Sequence, residues 1–303
     1  MENFALVLIY LMIGALLRRL PQFPQDTGLV LNQYVLFVAL PALVLQKIPL
    51  LEFSSQLWLP AITPWVLLII VAGLVILAGK VWHWEKTTVG ALLVVLPLGN
   101  TSFLGFPMVE AFFGEKALPF AMIYDQAGSF VALATYSTLL AAWYNPNATT
   151  PSALQMLTRV ITFPSFVALA VALALKSWPY PQFFSQLLDS LAATLVPVIM
   201  IAVGFQFRLQ LDNKDAKPLI FALGVKLFLM PVLALSFLNF FQPEPLLLQV
   251  VVFEAAMPPM VSAGAIAIGA GLALRLVPAL VGLGLLLSFI SLPLWYLLLQ
   301  LYV

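Results

Sequence analysis

The sequence contains no cysteine. Disulfides, thiolate nucleophiles and thiolate metal sites are therefore excluded. Histidine is nearly absent as well: His83 stands alone in a polar loop, where a solvated surface role is expected. One loop histidine cannot build a His-Glu-x-x-His zinc helix or a Ser–His pair. Charge is equally scarce. Only 8% of the 303 residues are Asp, Glu, Lys or Arg, against about a quarter in a soluble domain. The net charge is +1 with no basic cluster, so nothing points to nucleic acid. Missing, too, are the alternating segments of ~10 residues that mark a transmembrane β-barrel.

What is present is apolar. Hydrophobic residues make up 63% of the chain and the mean hydropathy is +1.08. Continuous apolar runs of about 20 residues, enough to cross ~30 Å of hydrocarbon, recur along it. The fold class expected is an all-α membrane protein with spans near 3–20, 29–47, 58–80, 87–113, 117–144, 153–175, 184–207, 217–241, 245–271 and 276–302. Turn signals such as PQFPQD, NPNATTPS, WPYPQ and FQPEP separate them. Glu2 precedes the first run and Arg18-Arg19 follow it, the reverse of a signal peptide, so a retained first helix is expected.

Lysine and arginine in short loops set the orientation. One set of alternate loops holds Arg18, Arg19, Lys80, Lys86, Arg159, Arg208, Lys214, Lys217 and Arg275. The other holds Lys47, Lys116 and Lys176. The bias places the first set in the cytoplasm and both termini outside it, in an inner or plasma membrane.

Two spans are interrupted. The fourth reads LGNTSFLGFPMVE, with Gly99, Asn100, Thr101, Ser102, Gly105 and Pro107 close together. The ninth reads EAAMPPMVSAGA, where Pro258 and Pro259 remove two amide donors and stop a regular helix. The breaks lie about 150 residues apart, each in the fourth span of a five-span half. Five is odd, so a repeated second half enters the membrane inverted, giving units 1–150 and 151–303. Broken helices at matching positions of inverted halves point to a transporter site at mid-membrane. A broken helix exposes N–H groups on one side and carbonyls on the other, which favour an anion and a cation respectively.

Three ionisable side chains fall inside spans: Asp125 (beside Gln126), Lys226 and Glu254. Each lies roughly 12 Å deep, where a charge needs a partner, the protein interior or water. Glu254, four residues before Pro258, is a candidate Na⁺ ligand or proton carrier, and the residue types leave both open. Lys226 is expected in an ion pair rather than reaching the surface.

These stretches resemble a known group. LNQYVLFVALPALVL, GNTSFLGFP, LVPVIMIAVGFQF and AAMPPMVSAGAIA, with Lys226 and Pro231, are similar to the auxin efflux carrier family, which includes the plant PIN proteins. The resemblance implies ten helices in two inverted repeats, a fold like that of bile acid/sodium symporters. It also implies that the fourth and ninth helices cross at their breaks, between a scaffold bundle and a moving bundle. Carried over, Asn100 and the backbone near Pro107 and Pro258 become candidate substrate contacts, and Glu254 resembles a ninth-helix Glu that binds Na⁺. This chain departs from the pattern at Ser262, where relatives often have Asn, and between Leu59 and Gly79, where plant members carry an acidic residue.

The function expected is a secondary carrier of a small organic anion, auxin-like or of the malate and malonate type. Candidate substrate contacts are Asn100, Thr101, Ser102, Gly105, Pro107, Pro258, Pro259 and Ser262. Candidate coupling residues are Glu254, Asp125, Lys226 and Gln126. No catalytic residue, metal site or cofactor is expected beyond Na⁺ or H⁺ as coupling ion. Alternatives are a Na⁺-coupled symporter of larger amphipathic anions, a passive channel or a non-transporting sensor. Gly264, Gly282 and Gly284 permit close packing and leave a homodimer open.

Overall fold

The computed structural model of the protein describes residues 2–50, 56–145, 151–176, 179–206 and 216–302. Arg208 and Lys214, counted above for orientation, lie outside them. Among the described residues all regular structure is helical, and one isolated antiparallel bridge joins Gly99 to Pro259.

The helices follow the apolar runs because hydrocarbon offers the backbone no water, and a helix satisfies its own N–H and C=O groups. Six are long and apolar enough to cross a membrane alone: α2 (Thr27–Lys47), α3 (Trp58–Val81), α6 (Glu115–Tyr144), α9 (Gln182–Gln206), α10 (Ala216–Asn239) and α13 (Leu276–Tyr302). The first helix, α1, covers Glu2–Leu17. The protein is thus a multi-pass helical membrane protein.

The two interrupted spans are each a pair of short helices. Helix α4 (Lys86–Val95) is followed by α5 (Thr101–Phe113), and α11 (Pro245–Ala255) by α12 (Val261–Gly269). The gaps, 96–100 and 256–260, are equal in length. Gly90–Val95 of α4 and Leu247–Ala255 of α11 are buried on every side, so these helices are apolar all round and form the centre of the molecule.

The run expected as one span at 153–175 is instead two helices, α7 (Ala153–Ile161) and α8 (Pro164–Ala174), bent by 61°. Pro164 holds Phe163 at φ −67°, ψ 129°, an extended conformation that ends α7. A reciprocal Ser152–Gln155 cap starts α7, whose Leu154, Leu157 and Ile161 are exposed along one face.

Prolines inside the other spans are absorbed locally. Before Pro231, α10 widens into a π-turn at Val225–Leu229. The Leu227 carbonyl, four residues before a proline that has no N–H to give it, accepts 2.9 Å from the Trp295 indole of α13. Helix α2 carries a similar widened turn at Val35–Ala39 ahead of Pro41.

Packing divides the helices into two groups. Helices α1, α2, α8 and α9 pack mainly on one another, as do α3, α4, α5, α6, α10, α11, α12 and α13. In the first group α1 and α9 touch backbone to backbone. A Cβ on Gly14 would lie 2.1 Å from the Ile201 carbonyl oxygen, and one on Gly204 would lie 2.0 Å from that of Leu11. The groups meet where α5 contacts α1 and α9, and where α2 contacts α6.

Candidate functional site

The two breaks are hydrogen-bonded to each other. The Asn100 N–H donates 2.8 Å to the Pro258 carbonyl, and the Met260 N–H donates 3.1 Å to the Leu98 carbonyl. Each break thereby satisfies backbone groups that its own interrupted helix cannot. The crossing brings together the first turns of α5 and α12 with the last turns of α4 and α11. Two N-terminal and two C-terminal half-dipoles converge on one buried point.

Around that point the predicted site residues fall into three sets. Asp125, on a widened turn of α6, accepts 2.5 Å from the Thr101 hydroxyl, 2.6 Å from the Ser102 hydroxyl and 2.8 Å from the Gln126 amide. Thr101 and Ser102, expected to face a substrate, thus spend their hydroxyl protons on Asp125. The Asn100 amide is different. The residue is 3% exposed, and its backbone carbonyl accepts from the Leu104 and Gly105 N–H groups, yet its side-chain Nδ2 has no partner.

Glu254 forms the second set. It is fully buried on α11, and neither carboxyl oxygen has a hydrogen-bond partner. Gly105 of α5 faces it so closely that a Cβ there would lie 2.5 Å from Oε2 and 2.7 Å from Oε1. The glycine leaves room for the carboxylate where it stands; any side chain there would push the Glu254 tip aside. Leaving a buried polar group unpaired costs about 1–3 kcal/mol, more when it is charged.

Lys226 is the third. It does not reach the surface: it is 1% exposed, and its ammonium lies 3.3 Å from the Met230 sulfur. The same nitrogen would stand 3.4 Å from a Cβ on Gly99, so the lysine amine sits at the crossing itself. Among the described residues it makes no salt bridge within 4.0 Å, and Glu254 is the carboxylate that faces it.

Pro258 and Pro259 are buried at the crossing, Pro107 is buried farther along α5 on the wall of the larger cavity, and Ser262 is part-buried on the first turn of α12. His83 is exposed at the turn between α3 and α4.

Two cavities lie between the helix groups, near opposite ends of α2 and α9. One, of about 350 Å³, has Phe103, Val203, Val261 and Gly264 among its walls, with Asn32 and Gln206 as its polar side chains. Asn32 is 9% exposed with its Oδ1 unpartnered. The other, of about 700 Å³, includes Tyr10, Lys47, Pro107, Glu110, Glu115 and Asp189. Asn32 was not singled out above, although it lies in the stretch LNQYVLFVALPALVL and places an amide one turn into an apolar span.

A family model described as a membrane transport protein matches residues 1–296. The chain belongs to that family, the auxin efflux carriers. An uncharacterized transporter of Methanothermobacter thermautotrophicus is 25% identical over 305 residues, 97% of this chain and 96% of the relative. An uncharacterized transporter of Methanocaldococcus jannaschii is 26% identical over 214 residues, 67% of this chain and 68% of the relative. The crossing gathers several of this transporter's buried polar side chains, Asn100, Thr101, Asp125, Gln126, Lys226 and Glu254 among them.

Proposed function

We propose that this membrane transport protein is a secondary carrier of a small organic anion, working by alternating access at the crossing of the two broken spans. One observation carries the reading: the breaks bond to each other and leave the Asn100 amide donor and the Glu254 carboxylate unpartnered in the buried centre. An unpaired donor beside two half-helix N-termini suits a carboxylate that must shed water.

Packing supports two inverted halves, 1–150 and 151–303, of five spans each, with every broken pair counted as one span. Helix α1 packs on α9 as α8 packs on α2; α3 packs on α4 and α6 as α10 packs on α11 and α13. Basic residues Arg18, Arg19, Lys80, Lys86, Arg159, Lys217 and Arg275 cluster at one set of helix ends, which we assign to the cytoplasm, leaving both termini outside.

The smaller cavity adjoins the crossing through Phe103, Val261 and Gly264, and its walls are mostly apolar. Such a lining favours an anion with one carboxylate and an apolar body over a dicarboxylate, because its described walls hold no Lys or Arg. Asn100 at the crossing binds the carboxylate, and Asn32 stands on the cavity wall that belongs to the first helix group.

The coupling ion in this reading is the proton. A Na⁺ at the crossing would meet the Lys226 ammonium, which already occupies the space beside the C-terminal carbonyls. Glu254 carries the proton, and its loss leaves a carboxylate that faces Lys226.

The test is uptake of labelled indole-3-acetate, malonate and malate into proteoliposomes under Na⁺ or pH gradients. Asn100→Ala abolishes saturable flux, and Glu254→Gln removes the pH-gradient dependence while Na⁺ has no effect in either protein. Equal flux in Asn100→Ala, or dependence on Na⁺, overturns the respective part.

A further inference from the structure

The larger cavity has at its rim a bond that joins the two helix groups. Lys47 ends α2, and its ammonium donates 2.5 Å to Glu115 Oε2 at the start of α6. The lysine side chain is 10% exposed and the glutamate 68% exposed. The bonds from Tyr34 to Thr194 and from Gln206 to Gly28 run within the first group, and those from Trp65 to Ala127 and from Trp295 to Leu227 within the second.

Both ends of this ion pair are rigidly mounted. Next to Lys47, the Gln46 amide bonds the Asp189 carboxylate of α9, so the lysine end is fixed to the first group. Glu115 follows Gly114, whose φ of +80° suits glycine and turns the chain sharply from α5 into α6. Glu115 is therefore attached to the outer end of α5, the helix whose inner end carries Asn100 and Gly105. A pull at Glu115 is a pull on one arm of the crossing.

We infer that the Lys47–Glu115 pair is a latch that ties the two helix groups together across the larger cavity, limits how far it opens and biases the groups toward the state seen here. The inference rests on the alternating-access reading, and supplies the charge pair that sets its resting position. Glu110, Glu115 and Asp189 outnumber Lys47 on the cavity wall. With the pair broken, like charges line the rim and favour its opening, while the buried Lys47 ammonium loses its counter-charge.

The absence of cysteine makes the test direct. A single cysteine replaces Ala111, on the wall of the larger cavity, and in a second protein Val203, on the wall of the smaller one. The full chain is held in nanodiscs, where a bulky polar maleimide reaches both faces. Lys47→Met and Glu115→Gln raise the labelling rate at position 111 roughly fivefold, the scale expected of one half-buried ion pair, and lower it at position 203. The swapped pair Lys47→Glu with Glu115→Lys returns both rates toward their starting values. Unchanged rates in single variants that elute as the parent does overturn the latch, as does a swap that fails to restore them. No substrate enters the measurement. A protein that carries none of the tested acids but shifts its labelling loses the carrier reading and keeps the latch; one that transports without a shift does the reverse.

Discussion

Replacing Gly204 by alanine places a methyl carbon 2.0 Å from the Leu11 carbonyl oxygen, and the reciprocal change at Gly14 places one 2.1 Å from the Ile201 oxygen. The obstacle in both cases is backbone, which cannot rotate away as a side-chain tip can. Ordinary contact begins near 3.4 Å, so either substitution must part α1 and α9 by about 1.4 Å along their contact. Overpacking of this kind costs about 1–3 kcal/mol. For a chain of this size that lowers the unfolding midpoint by about 5 °C. The assay is thermal unfolding of the purified protein in one detergent, followed by loss of monodisperse elution. Because both substitutions separate the same pair of backbones, the double variant loses less than the sum of the singles. Midpoints within about 1 °C of the parent for both singles would refute the backbone contact. Fully additive losses would show that the two glycines do not share one constraint.

Two further outcomes follow from hydrogen bonds at membrane depth. Trp295→Phe keeps most of the ring volume but removes the donor to the Leu227 carbonyl, so stability falls by about 1 kcal/mol in the same melting assay, whereas Trp65→Phe tests the matching bond to Ala127. Thr101→Val removes the 2.5 Å donor to Asp125 and costs about 1.5–3 kcal/mol, a loss that Asp125→Asn in the same chain reduces because the uncharged amide needs less compensation.

The apolar helices were readable because run length and hydrocarbon thickness are linked by simple geometry. The two breaks were readable for a related reason: Pro258 and Pro259 cannot both sit inside a regular helix. The bend at Pro164 obeys the same rule, but there the apolar run continues through it and masks the stop at Phe163. The commitment of Thr101 and Ser102 to Asp125 was not visible. It depends on which face of α6 turns toward α5, and two widened turns in α6 reset that face away from a regular period. Burial of Lys226 was legible from its depth, whereas its position beside Gly99 needed the crossing. Lys47 reads as a loop charge, because nothing local to it announces a partner 68 residues away at Glu115.

The paired breaks also bear on how the chain is made. The Asn100 N–H finds its acceptor at Pro258, and the Leu98 carbonyl finds its donor at Met260. Until residue 260 has been synthesised, the break between α4 and α5 is left with these groups unsatisfied, each at a cost of several kcal/mol in hydrocarbon. Helices α1 to α6 are therefore not a self-sufficient unit of biogenesis. Chaperoning by the insertion machinery, or by water retained at the break, has to last until the break between α11 and α12 arrives. A gene cut between α6 and α7 yields a stable product only when both pieces are expressed in the same cell.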